Sequence, residues 1–243
     1  MRDWLVIVIA APLASFGENP GNAQRGTSDH PTHSALVGLA GAALGVERDE
    51  EAGQRRLAEA FYTASRTLRP GAPLTDFHTF QSLPSARGAV ATRAQALARR
   101  GDIQTSITRR DYRCDGLWQA AFTARDHGEI ALGALRAAFA RPHFPLYAGR
   151  KACPLALPVC AEIVEHASID DAFAQHALRV KIAVAGGSLA IDARIADDGA
   201  NSRRRHRRND EPTDRKHWHF SARFEHVRPM VAPLTLTGPA NER

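Results

Sequence analysis

The chain has 243 residues, 44% hydrophobic and 24% charged, with a formal net charge of +6. That length holds one large domain or two small ones with a true core, and no stretch reaches the ~20 consecutive apolar residues a spanning helix needs. The basic excess admits a polyanion as partner. The three cysteines, Cys114, Cys153 and Cys160, are odd in number and lack CxxC spacing, so they read as reduced thiols of a cytoplasmic protein rather than a disulfide framework.

The chain opens MRDWLVIVIAAPLASFG. Asp3 stands where a secretory signal carries positive charge, and Pro12 occupies the −3 position for cleavage after Ala14. The β-branched run at residues 5–9 therefore reads as a buried first strand over residues 3–10. Residues 12–32 are loop-like, punctuated by Gly17, Pro20, Gly21, Gly26 and Pro31. Ser34 is expected to cap a helix that runs to about residue 44 and stops at Gly45. Gly38 and Gly41 leave one face of it bare for close approach. A second helix follows over residues 50–61.

Strands are expected at 61–67 and 74–80, joined by the turn RPGAP. Residues 81–102 are poor in large apolar side chains and carry Arg87, Arg93, Arg99 and Arg100, so they form an excursion rather than core. Strands resume at 103–112 and 117–123, and a helix covers 129–140. The loop RPHFPLYAGRKACPLALP and the short helix DDAFAQHAL come next, then strands near 180–185 and 189–195. Residues 197–215, with the run RRRHRR, read as a mobile basic loop. HWHFSARFEHV is a last strand, and 229–243 a C-terminal tail.

This order is α+β without a regular βαβ alternation, and it fits one domain over residues 1–243. The natural candidate is a ferredoxin-like or RNA-recognition-motif-like antiparallel sheet with helices on one face. The sequence contains no GxxxxGK, GxGxxG, HExxH or GxSxG motif, and no internal repeat.

Several stretches match a known family in order and rough spacing. They are AAPLASFG, RGTSDHPTHSALVGLAGAALGVERDEE, DFHTFQ, ITRRDYRCDG, LYAGRKACPL and NDEPTDRKHWHFSARFEHV. Together they span residues 1 to about 228 and resemble the CasD family of type I-E CRISPR Cascade subunits, which hold the 5′ handle of the CRISPR RNA. The resemblance implies a ferredoxin-like core with an inserted β-hairpin thumb, placed at 81–106, that reaches toward a backbone subunit. It implies a non-enzymatic, cytoplasmic protein with no cofactor and no membrane contact. Its partners are the RNA handle and other Cascade subunits, backbone and large, and it meets target DNA only through the complex. In a related type I-C system the corresponding subunit is itself the endoribonuclease. The alternative is therefore a metal-independent enzyme that processes precursor CRISPR RNA.

Four groups of residues suit RNA. The first is Arg25, Thr27, Thr32 and Ser34; a helix N-terminus at Ser34 attracts phosphate, and a plain N-cap explains it equally well. Asp29 stands where the family pattern often has a basic residue. The second is Arg110 with Tyr112. The resemblance selects Arg110 because it aligns with the family's Arg-Glu-Tyr motif, and in a strand Arg109 points to the other face. A surface salt bridge with Asp111 or a neighbour is the rival reading. The third is Tyr147, Gly149, Arg150 and Lys151, which combine a stacking face, close backbone approach and tandem cations. The fourth is Arg203, Arg204, Arg205, Arg207 and Arg208, suited to phosphate backbones without sequence preference. His30 and His33, like His217 and His219, lack a third ligand nearby in sequence, which argues against zinc. His78 and His143 are the candidate proton-transfer groups of the enzyme alternative, and His143 has Tyr147 and Lys151 close in sequence.

Overall fold

The computed structural model describes residues 1–17, 24–84, 90–183, 187–196 and 204–230. In chain order the elements are β1 (Arg2–Ala14), β2 (Gln24–Arg25), α1 (His33–Leu44), α2 (Glu51–Ala60), β3 (Phe61–Arg69), β4 (Ala72–Ser82), α3 (Arg93–Ala98), β5 (Gln104–Ala124), α4 (Leu132–Ala140), β6 (Glu162–His166), α5 (Ile169–Arg179), β7 (Gly187–Asp192), β8 (Arg204–Asp214) and β9 (His219–Met230). The strands form one sheet in the order β6-β1-β5-β3-β7-β9-β8, with β2 and β4 also on β5. Every pairing is antiparallel except β2 with β5. No helix among the described residues is long and apolar enough to cross a membrane.

The opening apolar run is a strand covered on both faces, which is why it does not alternate with polar residues. Leu5, Ile7 and Ile9 face α1 and α4, whereas Trp4 and Val6 face α5. The expectation of helices on one face is thereby corrected: α5 packs Ile169, Ala172 and Phe173 on the side opposite α1. The two cores share the sheet between them, and burial of these aliphatic and aromatic side chains supplies most of the stabilisation, at about 25 cal/mol per Å² of apolar surface.

Strands β3 and β4 do not form a hairpin with each other; both run along β5. The inner half of β5 lies between β1 and β3, with Trp118 opposite both Ile9 and Thr67. Its outer half pairs with β4 from Ala72 opposite Cys114 to Ser82 opposite Gln104, and past its last partners on β1 and β2 it pairs, among the described residues, with β4 alone and leaves the body as an arm. The step between β3 and β4 needs Gly71, whose φ is 76° and whose Cβ would lie 2.5 Å from the Cys114 carbonyl oxygen. Residues 104–124 are one strand where two were expected. Asp115-Gly116 reads as a turn, but Asp115 adopts φ 57° within the strand and the pairing continues past it.

Other expectations are also revised. Thr32, not Ser34, caps α1: its hydroxyl accepts from Ala35 N at 3.4 Å. Gly45 ends that helix with φ 79°, as expected. Residues 180–183 end α5 instead of beginning a strand, with Val180 N bonded to His176 O; residues 184–186 lie outside the described residues. Within the supposed mobile loop 197–215, residues 204–214 are strand β8. Part of its charge is matched across the ladder: Arg208 meets Glu225 at 2.6 Å and Asp210 meets Arg223 at 2.7 Å. Residues 197–203 lie outside the described residues. Strand β9 continues through the buried Met230, past the expected start of the tail at 229; residues 231–243 lie outside the described residues.

Candidate nucleic-acid interface

Arg25 and Thr27 of the first group meet the second and third groups where β5 leaves the sheet. Loop 147–154 is closed by Ala148 N donating to Cys153 O and Cys153 N donating to Arg150 O, both at 2.8 Å. It is laid against the end of β1 by Ser15 N donating to Ala148 O at 3.0 Å. Gly149 makes that approach possible: its φ is 85°, and a Cβ there would sit 2.0 Å from the Ser15 carbonyl oxygen. Arg150 then turns inward. Its Nη2 donates to Arg25 O at 3.0 Å, and its guanidinium lies 4.9 Å from the centre of the Tyr112 ring. Arg25 pairs in register with Arg110 through β2. Thr27 fixes the strand end by accepting from Phe16 N at 3.0 Å.

The electrostatics of this cluster are unbalanced. Arg110 Nε, Arg113 Nε and Arg150 Nη1 are buried with no hydrogen-bond partner among the described residues. Buried polar atoms are nearly always paired, and a buried cationic donor left unpaired is costly. Free cationic donors beside an aromatic ring, as Arg150 stands beside Tyr112, can hold an anion that carries a stackable group, such as a nucleotide with its phosphate and base. The rival pairing of Arg110 with Asp111 does not form among the described residues; the Asp111 carboxylate accepts instead from the Thr75 hydroxyl at 2.8 Å. Arg109, on the other face of the arm, lies 5.5 Å from the Phe77 ring. Tyr147, 37% exposed, and Lys151 extend the cluster to the surface. Arg113, which follows Tyr112 on the opposite strand face, is not among the sequence candidates; its proximity to Asp29 helps hold that carboxyl below its ordinary range, after the larger contribution of His30.

The remaining candidates lie elsewhere. The Thr32 hydroxyl is buried in the α1 cap and meets Ser34 Oγ at 3.3 Å, while Ser34 O accepts from Arg215 Nη1 at 3.3 Å. Both residues shape the loop without contacting Arg110 or Arg150 among the described residues. Arg204, Arg205, Arg207 and Arg208 are on β8, and Arg203 lies outside the described residues. The His143 ring packs edge-on against Phe144, and its backbone N donates to Ala43 O at 3.0 Å, at the opposite end of α1 from Thr32. His78 is on the arm, opposite Thr108.

A buried ionic network fixes the loop before α1. His30 contacts Asp29 at 2.7 Å and Glu225 at 3.3 Å. His33 N donates to Asp210 at 2.8 Å, and Arg223 holds both Asp210 and Glu225. Burial opposes charge on His30, but its hydrogen bonds to the Asp29 and Glu225 carboxylates, which accept, outweigh it and raise its pKa to about 9. Burial, with Arg223 nearby, lowers His33 to about 4. The two histidines therefore act in opposite directions. The contribution of His30 is fully present below its ordinary pKa of 6.5 and is lost as pH rises toward 9. The neutral His33 stabilises above 6.5, and its contribution is lost as pH falls toward 4. Melting temperature is expected to peak near the ordinary histidine range, and His30→Gln should flatten the alkaline limb. An unchanged alkaline limb in that variant would contradict the assignment.

Residues 4–225 match the family described as CRISPR-associated protein (Cas_Cas5). Over 173 residues, 65% of this chain and 70% of the relative, the sequence is 28% identical to the CRISPR system Cascade subunit CasD of Escherichia coli strain K12. A chain of a solved CRISPR RNA-guided surveillance complex superposes with a TM-score of 0.65 at 25% identity, covering 98% of this chain and 95% of that one. A crystal structure of a Cas protein shares the fold with a TM-score of 0.57 at 24% identity, over 94% of this chain and 95% of that one.

Proposed function

The chain belongs to the CRISPR-associated Cas5 family, and we propose that it is the subunit of a type I-E Cascade surveillance complex that binds the 5′ handle of the CRISPR RNA. The single observation that carries this reading is the pair of partnerless buried guanidinium nitrogens on Arg110 and Arg150, brought together through Arg25, with the Arg150 guanidinium 4.9 Å from the centre of the Tyr112 ring. Phosphates of a single strand satisfy the guanidinium groups, and Tyr112 and Tyr147 offer faces to its bases. Gly149 lets the loop backbone approach closely; Lys151 adds charge at the rim; Thr27, Thr32 and Ser34 hold the adjoining backbone.

In this reading the antiparallel order β6-β1-β5-β3 is a ferredoxin-like core, with α1 and α2 in one crossover and α4 in the other. The arm of β4 and the outer half of β5, with α3 near its tip, is the thumb, and it is longer than the 81–106 expected from sequence. The subunit caps one end of a cytoplasmic complex, contacts the backbone and large subunits, and meets target DNA through that assembly. In this reading it is non-catalytic, and the cluster offers cations for binding RNA.

Binding and product size are measured together on labelled repeat RNA in EDTA. Intact RNA is expected to bind saturably, and the Arg150→Ala/Lys151→Ala variant to bind at least about tenfold more weakly, the scale of losing charge-assisted hydrogen bonds. His143→Ala should bind as the parent does. A discrete cut in the repeat, lost in His143→Ala, would instead make this the processing endoribonuclease.

A further inference from the structure

The run RRRHRR is not absorbed by the handle site. Strand pairing places Arg205 opposite His226 and Arg207 opposite Phe224, and His226 opposite Ile191. Cross-strand partners share a face, and Ile191 belongs to the core under α5. Arg205, Arg207 and Phe224 therefore lie on the α5 side of the sheet, whereas Tyr112 packs against the core under α1. The sheet separates the two basic surfaces.

Arg204, Arg205 and Arg207 are exposed and make no ion pair among the described residues, in contrast to Arg208, which meets Glu225. The Arg205 guanidinium lies 3.9 Å from the centre of the Phe224 ring, and Phe224 is itself 40% exposed. Beside them is a hollow of about 500 Å³ lined by Arg194, Arg205, Ser221 and Phe224. Glu211 also lines it, but its charge is taken up by Arg125 at 2.5 Å and Arg194 at 2.8 Å. What remains is a surplus of positive charge on alternate residues of a strand, next to an aromatic face and a space large enough for a base. A polyphosphate backbone complements that charge, and an unstacked base complements the hollow.

We propose that the outer face of the β8–β9 ribbon is a second nucleic-acid surface, on which Arg205 and Arg207 take phosphates of a single strand and Phe224 stacks one of its bases. It stands on the charge and geometry of the ribbon and not on the handle reading. A stacked guanidinium keeps its edge free to donate, so Arg205 serves ring and phosphate together.

The test uses the full chain saturated with unlabelled repeat RNA and titrated with fluorescent oligothymidine at several salt concentrations. Oligothymidine is expected to bind while the repeat RNA stays bound. The Arg205→Gln/Arg207→Gln variant should bind it more weakly and lower the salt slope by about 1.4, the value for two phosphate contacts on a single strand. Phe224→Leu should weaken it roughly tenfold, as loss of one stacked base does. Repeat RNA affinity should not change in either variant. Oligothymidine that fails to bind, is displaced by repeat RNA, or binds the glutamine variant with an unchanged slope would overturn the proposal. Oligothymidine that binds and responds to the glutamines, in a protein that ignores repeat RNA, supports this surface and refutes the handle reading.

Discussion

Gly149→Ala is expected to lower the unfolding free energy by about 2–4 kcal/mol and to weaken repeat RNA binding more than tenfold. Two independent costs meet at this position. Its backbone is left-handed, at φ 85°, and a methyl group would sit 2.0 Å from the Ser15 carbonyl oxygen. Neither relaxes locally, because Ser15 N is held by Ala148 O on the same loop. Relief requires the loop to lift off the end of β1, and that takes the Arg150 guanidinium away from Tyr112 and Arg25. Denaturant unfolding and RNA titration on one preparation measure both effects. Lys151→Ala is the control, because its exposed side chain should leave stability unchanged. A Gly149→Ala protein with parental stability and affinity would show that the loop does not depend on this contact.

The second large effect is expected at Arg223→Leu, a loss of about 3–5 kcal/mol in stability, because it strands the buried Asp210 carboxylate without its cation, while Glu225 keeps Arg208 and His30. The Arg223 side chain is 5% exposed and contacts Asp210 at 2.7 Å and Glu225 at 3.1 Å. Those carboxylates in turn hold His33 N and the His30 ring. RNA affinity should fall as well, since the loop leading into α1 follows β2 and Thr27. Urea unfolding of Arg223→Leu beside Asp210→Asn measures the cost; less than about 1 kcal/mol for the leucine variant would mean that water already reaches these groups.

The parts of this molecule legible in its sequence are those set by local rules. Residues 5–9 read as a buried strand because both faces of β1 are covered, and Gly45 read as a helix stop because only glycine takes its φ of 79° cheaply. Period two separated Arg110 from Arg109, and β5 keeps them on opposite faces, with Arg110 across from Asp76 and Arg109 across from Phe77. What could not be read depends on distant partners. Arg150 reaches Arg25 across 125 positions of sequence, and nothing in either local stretch announces the meeting. Strand β8 looked like a disordered run because its stabilising charges lie on the next strand, Glu225 for Arg208 and Arg223 for Asp210. Asp115-Gly116 carried a turn signal that tertiary pairing overrode. Thr32 and Ser34 are equally good caps by composition, and only the chain's entry path chose Thr32.

If the chain holds the handle as proposed, the RNA lies on the cluster around Tyr112. Ultraviolet crosslinking of the full chain to repeat RNA, with adducts mapped by mass spectrometry, tests it most directly. The account predicts adducts at Tyr112 and on the loop carrying Tyr147 and Arg150, attached to nucleotides of the 5′ handle, and their loss in Arg110→Ala/Arg150→Ala. Adducts confined to other surfaces, or unchanged in that variant, would contradict it.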